Sequence, residues 1–252
     1  MKALFLTSKI IDYTKDDNGE SIIHGCLNTN RIVENLRKNV KDIKKLAYVA
    51  SNPDTFEKNK KFASYLKTAL QKEGFSVKKI VVIDNENNDI ENDVKSADVV
   101  FLSGGHVPTQ NEYFKKIKLK DILEKYNGVV VGQSAGSMNC SKVVYAQPEC
   151  EEEFLDKNYQ KYITGLGLTD IIVMPHMNRA QIDSLCGETT YSLCIKDSYN
   201  CPHFGITDGG YILIKDNVAT AYGETIYFKN GKVNLLCRDG ETYEISGEQL
   251  KQ

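Results

Sequence analysis

The feature that most constrains the fold is a run of β-branched residues ending in a Gly-x-Ser-x-Gly turn. Residues 129–131 are three valines, and residues 132–136 read Gly-Gln-Ser-Ala-Gly. A strand that turns this sharply into a helix raises one hydroxyl above the edge of a sheet, as in a nucleophile elbow. Gly132 and Gly136 leave room for a tight backbone on either side of the serine. The pattern predicts a strand–turn–helix unit with Ser134 as a candidate nucleophile.

Composition and charge place the chain among ordinary globular proteins. Its 252 residues, 41% hydrophobic and 26% charged, suffice for one α/β domain with a buried core. The net charge of −2, from 32 basic and 34 acidic residues, favours neither nucleic acid nor an anionic membrane as a partner. The amino-terminal apolar stretch is too short for a signal peptide, and no run is long enough to span a bilayer. We therefore expect a cytoplasmic protein, and the sequence leaves monomer and homodimer both open.

Cysteines and histidines give no sign of a metal or cofactor site. The seven cysteines are scattered and contain no Cys-x-x-Cys pair, and the four histidines do not join them at ligand spacing. Such spacing predicts neither a disulfide framework nor a zinc site. We expect free thiols, no metal and no organic cofactor.

Strand and helix patterns alternate through the first half of the chain. Apolar runs predict strands at residues 2–7, 46–50, 77–83, 97–102 and 128–132, and helical spacing predicts helices at about 28–44, from the caps at 51–54 to about 73, and through 113–123. Continuous apolar strands alternating with helices are typical of a parallel sheet covered on both faces. Residues 9–27 are polar and contain Gly, Asp and Asn, which predicts a long loop.

The second half changes character after residue 170. A further strand is predicted at 170–174, followed by a helical or irregular region at about 178–198. Short strands at 211–215, 219–221, 225–229 and 232–237 are separated by Asp-Asn and Asn-Gly turns, which predict antiparallel hairpins. With no repeat or linker, the chain is predicted to form a single domain.

A reactive serine needs an imidazole to accept its proton and a carboxylate to orient that imidazole. His176 is the best candidate base, because it follows the predicted strand 170–174, and working sites of parallel sheets lie beyond the carboxyl ends of their strands. Asp208, in a glycine-flanked turn after another strand, is the candidate acid. Glu149, fifteen residues beyond Ser134, is the alternative acid.

Two turns at strand ends predict the remainder of the site. The amide of Ala135, at the start of the elbow helix, and that of Gly105, after strand 97–102, are candidate oxyanion donors. His106 and Gln133 adjoin these turns and are candidate substrate-binding residues.

Taken together, these blocks resemble the dipeptidase E and cyanophycinase group of serine peptidases. The matching blocks, in order, are residues 103–105, 132–137, 175–176 and 205–209, and Gly-x-Ser-Ala-Gly is the most specific of them. The resemblance implies an α/β fold of three layers, flavodoxin-like and class I glutamine amidotransferase-like: a mostly parallel sheet with helices on both faces, plus the C-terminal hairpins. It also implies a Ser-His-acid triad in that chain order, here Ser134, His176 and Asp208. Most relatives have glutamate in the last place, and some assignments favour an acid soon after the nucleophile, as Glu149 is.

The resemblance implies hydrolysis of small peptides through an acyl-enzyme, with dipeptides that begin with Asp as one expected class. Such a pocket is expected to use a basic side chain near residues 187–190, where this chain has Thr190, so Arg179 is the nearest arginine for binding a substrate carboxylate. Two alternatives stay open. One is an esterase of the α/β-hydrolase type, with Ser134, Asp170 and His203 in that order. The other is a catalytically degenerate relative that binds a peptide or metabolite.

Overall fold

The computed structural model describes residues 1–250 of the chain. Its strands are β1 (Ala3–Thr7), β2 (Ile11–Lys15), β3 (Ser21–Cys26), β4 (Ile43–Val49), β5 (Val77–Ile83), β6 (Val99–Leu102), β7 (Val129–Gln133), β8 (Val143–Tyr145), β9 (Tyr162–Thr164), β10 (Val173–Met174), β11 (Ser184–Leu185), β12 (Glu188–Thr189), β13 (His203–Ile206), β14 (Tyr211–Lys215), β15 (Val218–Tyr222), β16 (Thr225–Lys229), β17 (Lys232–Cys237) and β18 (Thr242–Glu244). Its helices are α1 (Ile32–Asn39), α2 (Phe56–Lys72), α3 (Ile90–Lys95), α4 (Val107–Lys116), α5 (Leu119–Glu124), α6 (Ala135–Met138), α7 (Glu151–Leu155), α8 (Thr190–Asp197) and α9 (Gly247–Leu250).

An eight-stranded sheet organises the fold, in the order β18-β15-β14-β1-β7-β6-β4-β5. The five strands from β1 to β5 in that order are parallel neighbours, and β14, β15 and β18 extend the sheet in antiparallel fashion. β1 and β6 both pair with β7, so the elbow strand lies inside the sheet. The predicted mostly parallel sheet is confirmed.

Helices cover both faces of this sheet because successive side chains of a strand point to opposite sides. In β1, Phe5 faces a core completed by α1 and α2, whereas Leu4 and Leu6 face a second core completed by α3 to α6. The fold therefore has the three layers that the resemblance implies.

A second sheet, in the order β10-β13-β16-β17, carries the later part of the chain. The predicted hairpin β16–β17 is present, and its turn residues Asn230 and Gly231 have φ values of 53° and 72°, as a type I′ turn requires. The predicted hairpin β14–β15 is also present, but it belongs to the large sheet. The predicted strand 170–174 is shorter, since only Val173 and Met174 pair with β13, while Ile171 and Ile172 are buried without strand pairing.

The predicted loop at residues 9–27 is wrong, because most of this segment forms the hairpin β2–β3. Its turn is closed by a hydrogen bond from the Gly19 amide to the Asp16 carbonyl, with Gly19 at φ 79°. The hairpin lies against α2, where the Cys26 amide donates to Glu73 and Lys61 pairs with Glu20.

The predicted helix 28–44 is too long at both ends. Helix α1 covers only Ile32–Asn39, and Val40 is extended at φ −142°. Residues from Ile43 onward form β4 instead, since Ile43 and Leu46 are buried against β5 and the core. The hairpin β8–β9 was not predicted. Within residues 1–250, no helix combines the length and apolar character needed to cross a membrane.

Candidate active site

The elbow holds Ser134 in a backbone conformation that non-glycine residues rarely adopt. Ser134 has φ 51° and ψ −117°, between strand β7 and helix α6. Such strain persists only where the surroundings enforce it. Here the Ser134 amide donates to the Thr7 carbonyl at 2.9 Å, and the Ser137 hydroxyl both accepts from the Thr7 amide and donates to its carbonyl. A Cβ at Gly136 would lie 2.2 Å from the Leu102 carbonyl oxygen, so this position requires glycine.

Ser134, His176 and Asp208 form one continuous chain of hydrogen bonds. His176 Nε2 lies 3.0 Å from Ser134 Oγ, and His176 Nδ1 lies 2.7 Å from Asp208 Oδ1. His176 follows β10 and Asp208 follows β13, two parallel neighbours whose carboxyl ends meet at one edge. The aspartate therefore reaches the imidazole.

Ser8 is a fourth member of this group, and sequence analysis missed it. Its hydroxyl donates to Asp208 Oδ1 at 2.7 Å and accepts from the His176 backbone amide at 2.9 Å. Desolvation raises the pKa of the Asp208 carboxyl, but hydrogen bonds from His176 and Ser8, with the charge of His176, lower it more. The net pKa of Asp208 lies below its ordinary value, so this carboxylate is ionised at neutral pH. The available signal was the position of Ser8, one residue after the carboxyl end of β1.

The candidate oxyanion donors lie beside the serine. Ala135 is the first residue of α6, so its amide has no carbonyl acceptor within the helix. Gly105 lies on the loop after β6, where a Cβ would come within 2.2 Å of Ser51 Oγ. Gly105 therefore packs closely against the loop after β4, while its neighbour Gly104 approaches the elbow, where an added Cβ would lie 3.2 Å from Ser134 Cβ.

Two cavities meet at Ser134 and His176. The larger, about 650 Å³, extends over His106, Glu149 and Arg179 towards Thr190. The smaller, about 360 Å³, extends over Tyr48, Ser51 and the amino-terminal half of α2. Gly105 lines both cavities, so an acyl group and a leaving group could occupy opposite sides of the serine.

The predicted substrate-binding residues divide between these cavities. Gln133 lines the smaller one, where its side chain accepts a hydrogen bond from the Ile10 amide at 3.3 Å. His106 and Arg179 line the larger one. His106 caps α4 and contacts Glu153 at 2.7 Å, and Arg179 pairs with Asp183 at 3.1 Å.

Glu149, the alternative acid, lies in the larger cavity. The residue as a whole is exposed, but its carboxylate accepts from the Val107 amide at 3.3 Å, and desolvation there raises its pKa. Among the described residues, His176 Nδ1 has Asp208 and Ser8 as its hydrogen-bonding neighbours, and Glu149 is not one of them.

The other histidines are occupied elsewhere. His203, the base of the esterase alternative, is fully buried, its Nδ1 bonds to the Cys201 carbonyl at 2.7 Å, and it stacks on Phe228. His24 lies on β3 and bonds to Thr14. The structure therefore does not bring His203 to Ser134. In residues 1–250, no three His, Cys, Asp or Glu side chains gather as a metal site.

Comparison with known proteins identifies the family. The model of peptidase family S51 matches residues 19–222, most of the chain. The chain belongs to peptidase family S51. This membership confirms the resemblance noted from the sequence blocks and assigns the chain to the peptidases.

Solved structures support the S51 assignment at the level of the fold. A peptidase from an acI-B1 Actinobacterium has a TM-score of 0.66 and 14% identity, with 97% of each chain covered. A structure assigned to peptidase E, from Listeria monocytogenes EGD-e, has a TM-score of 0.55 and 18% identity, covering 91% of this chain and 98% of that one. Among curated proteins, none matches this chain significantly.

Proposed function

We propose that this S51 member is a serine peptidase that hydrolyses small peptides through an acyl-enzyme. The observation that carries the proposal is the hydrogen-bond chain from Ser134 through His176 to Asp208, at 3.0 and 2.7 Å. Neighbouring nucleophile, base and orienting carboxylate are the combination that activates a serine hydroxyl.

In the acylation step, His176 Nε2 takes the proton of Ser134 Oγ while that oxygen attacks the scissile carbonyl carbon. The amides of Gly105 and Ala135 donate to the oxyanion that develops. Asp208 accepts from His176 Nδ1, which fixes the tautomer and stabilises the imidazolium. When the tetrahedral intermediate collapses, the scissile C–N bond breaks and the imidazolium gives its proton to the departing amine.

In the deacylation step, the same imidazole takes a proton from water, whose oxygen attacks the acyl ester. The second tetrahedral intermediate uses the same two amides, and its collapse returns the proton to Ser134 Oγ.

Small peptides are the substrate class that fits the cavities beside Ser134. Dipeptides with an N-terminal Asp have less support, because Arg179 shares its charge with Asp183 and Glu149 adds a carboxylate to the same cavity. A pocket without a free arginine lacks the bidentate recognition that favours carboxylate side chains.

Replacement of the nucleophile tests the proposal. We expect Ser134→Ala to lower kcat/KM on a dipeptide panel by about a thousandfold or more. Mass spectrometry should show one fluorophosphonate group bound covalently to Ser134 in the wild type and none bound to the variant. His24→Gln is the matched control, since His24 lies on the hairpin away from the cavities. Folded wild-type protein that neither reacts with the fluorophosphonate nor cleaves any peptide would contradict the proposal.

A further inference from the structure

The smaller cavity beside Ser134 is bounded by one face of α2. Thr55, Lys58, Asn59 and Phe62 line it, at the spacing that places residues on one side of a helix. Tyr48 and Ser51 line it from β4 and the following loop. The cavity therefore combines an aromatic surface with hydroxyl and amide groups, next to the proposed nucleophile.

Lys58 gives this cavity a positive charge. It is exposed, and its ammonium lies 5.9 Å from the ring centroid of Phe62. The next lysines of the helix are paired, Lys60 with Glu57 and Glu86, and Lys61 with Glu20. In the part of the chain that the structure describes, Lys58 has no carboxylate partner within ion-pair distance. Its charge is free to meet a ligand.

The larger cavity has the opposite character. Its ion pair Arg179–Asp183 is internally neutral. The Glu149 carboxylate accepts from the Val107 amide, and among residues 1–250 it forms no ion pair with a lysine or arginine. A short peptide carries an ammonium at one end and a carboxylate at the other. Charge complementarity favours one orientation, with the amino end over Glu149 and the carboxyl end towards Lys58.

We propose that the cavity over α2 binds the residue on the carboxyl side of the scissile bond, and that Lys58 pairs with its terminal carboxylate. This inference rests on the proposed peptidase function. It makes Lys58 a specificity determinant for peptides in which a free carboxylate follows the scissile bond by one residue. A peptide amide of the same sequence would lose the ion pair and keep every other contact.

Binding to the Ser134→Ala protein tests the pairing without turnover. Calorimetry would compare the free acids and C-terminal amides of Asp-Ala, Ala-Ala and Lys-Ala. We expect the best-bound free acid to bind about tenfold more tightly than its amide, the advantage of a charge-assisted contact. Adding Lys58→Met should abolish this advantage and leave amide affinity unchanged, whereas Lys58→Arg should retain most of it.

Lys60→Met is the matched control, because it removes a lysine from the same helix outside the cavity. It should leave the preference for the acid intact.

Three results would overturn the inference. They are equal binding of acid and amide to the protein with Lys58 intact, weaker binding of both ligands after Lys58→Met, and binding of neither ligand. Hydrolysis by the wild-type chain is scored separately. A Lys58-dependent preference without hydrolysis refutes the proposed function alone, and hydrolysis with equal binding of acid and amide refutes the role of Lys58 alone.

Discussion

The two sheets contribute to the site in different ways. Ser134 follows β7, which has parallel neighbours on both sides within the large sheet. His176 follows β10, a strand of two residues whose one partner within residues 1–250 is β13. The nucleophile is therefore positioned by its own strand and turn. The base and acid depend more on side-chain hydrogen bonds. Ser8, one residue after β1, provides two that cross from one sheet to the other, in addition to the contact between His176 and Ser134.

The largest expected effect comes from replacing Asp208, the carboxylate that follows strand β13 of the second sheet. We expect Asp208→Asn to lower kcat by about 10³ to 10⁴-fold, because an amide neither fixes the productive tautomer of His176 nor stabilises its imidazolium. Steady-state kinetics on the best dipeptide would measure this loss.

Glu149→Gln is the matched control for Asp208→Asn, since both changes replace a carboxylate near His176 with its amide. Glu149 has no hydrogen bond to His176, so we expect kcat to change by about tenfold at most. A greater loss from Glu149→Gln than from Asp208→Asn would transfer the role of orienting acid to Glu149.

The next largest effect concerns the stability of the second sheet at acidic pH. Burial lowers the pKa of His203, in β13, from 6.5 to about 4. Between these values the unfolded chain binds a proton that the folded chain does not. Stability from this group is complete above pH 6.5 and falls as the pH drops towards 4, by roughly 3 kcal/mol. Ser134 and its strand contain no comparable group.

Denaturant unfolding of wild type and His203→Phe between pH 7 and pH 4 would measure this effect. The phenyl ring can still stack on Phe228, but it does not titrate, so the variant should lose less stability over this range. His24→Gln removes an exposed histidine and should keep the wild-type slope. Parallel pH dependences for wild type and His203→Phe would exclude His203 as the source of acid sensitivity.

The contrast between the two sheets also explains which parts of the site could be predicted from the sequence. The elbow was predictable because its signal is local: a β-branched strand, a serine and two glycines within eight residues. His176 and Asp208 were predicted as partners because each directly follows a strand, and strand ends gather at one edge. Glu149 could not be set aside from sequence, since separation along the chain does not give the distance to His176.

The errors have equally physical causes. Residues 9–27 lack clear alternation because much of the hairpin is exposed, and the register of β2 and β3 shifts between Asp12 and Tyr13. The apolar run at 170–174 is buried throughout most of its length, yet burial by core packing does not require strand pairing. Ser8 acts through contacts 168 and 200 residues away in sequence, which no local pattern encodes.

Ser8→Ala gives the smallest expected effect and tests the contact between the sheets most directly. The change removes the donor to Asp208 Oδ1 and the acceptor of the His176 amide, while Ser134 and the elbow keep their own contacts. We expect kcat to fall by about tenfold, the scale of one or two hydrogen bonds, with the melting temperature little changed. Kinetics across pH would measure both the loss and its pH dependence.

The pH profile separates a role at Asp208 from a general loosening of the loop. The Ser8 hydroxyl helps to lower the pKa of Asp208, so its removal raises that pKa. Asp208 orients His176 as a carboxylate, so a raised pKa in Ser8→Ala should move the acid limb of the kcat profile to higher pH than in wild type. A uniform loss at every pH would mean that Ser8 supports only the position of the loop. An unchanged kcat and profile would mean that His176 and Asp208 are held in place without help from Ser8.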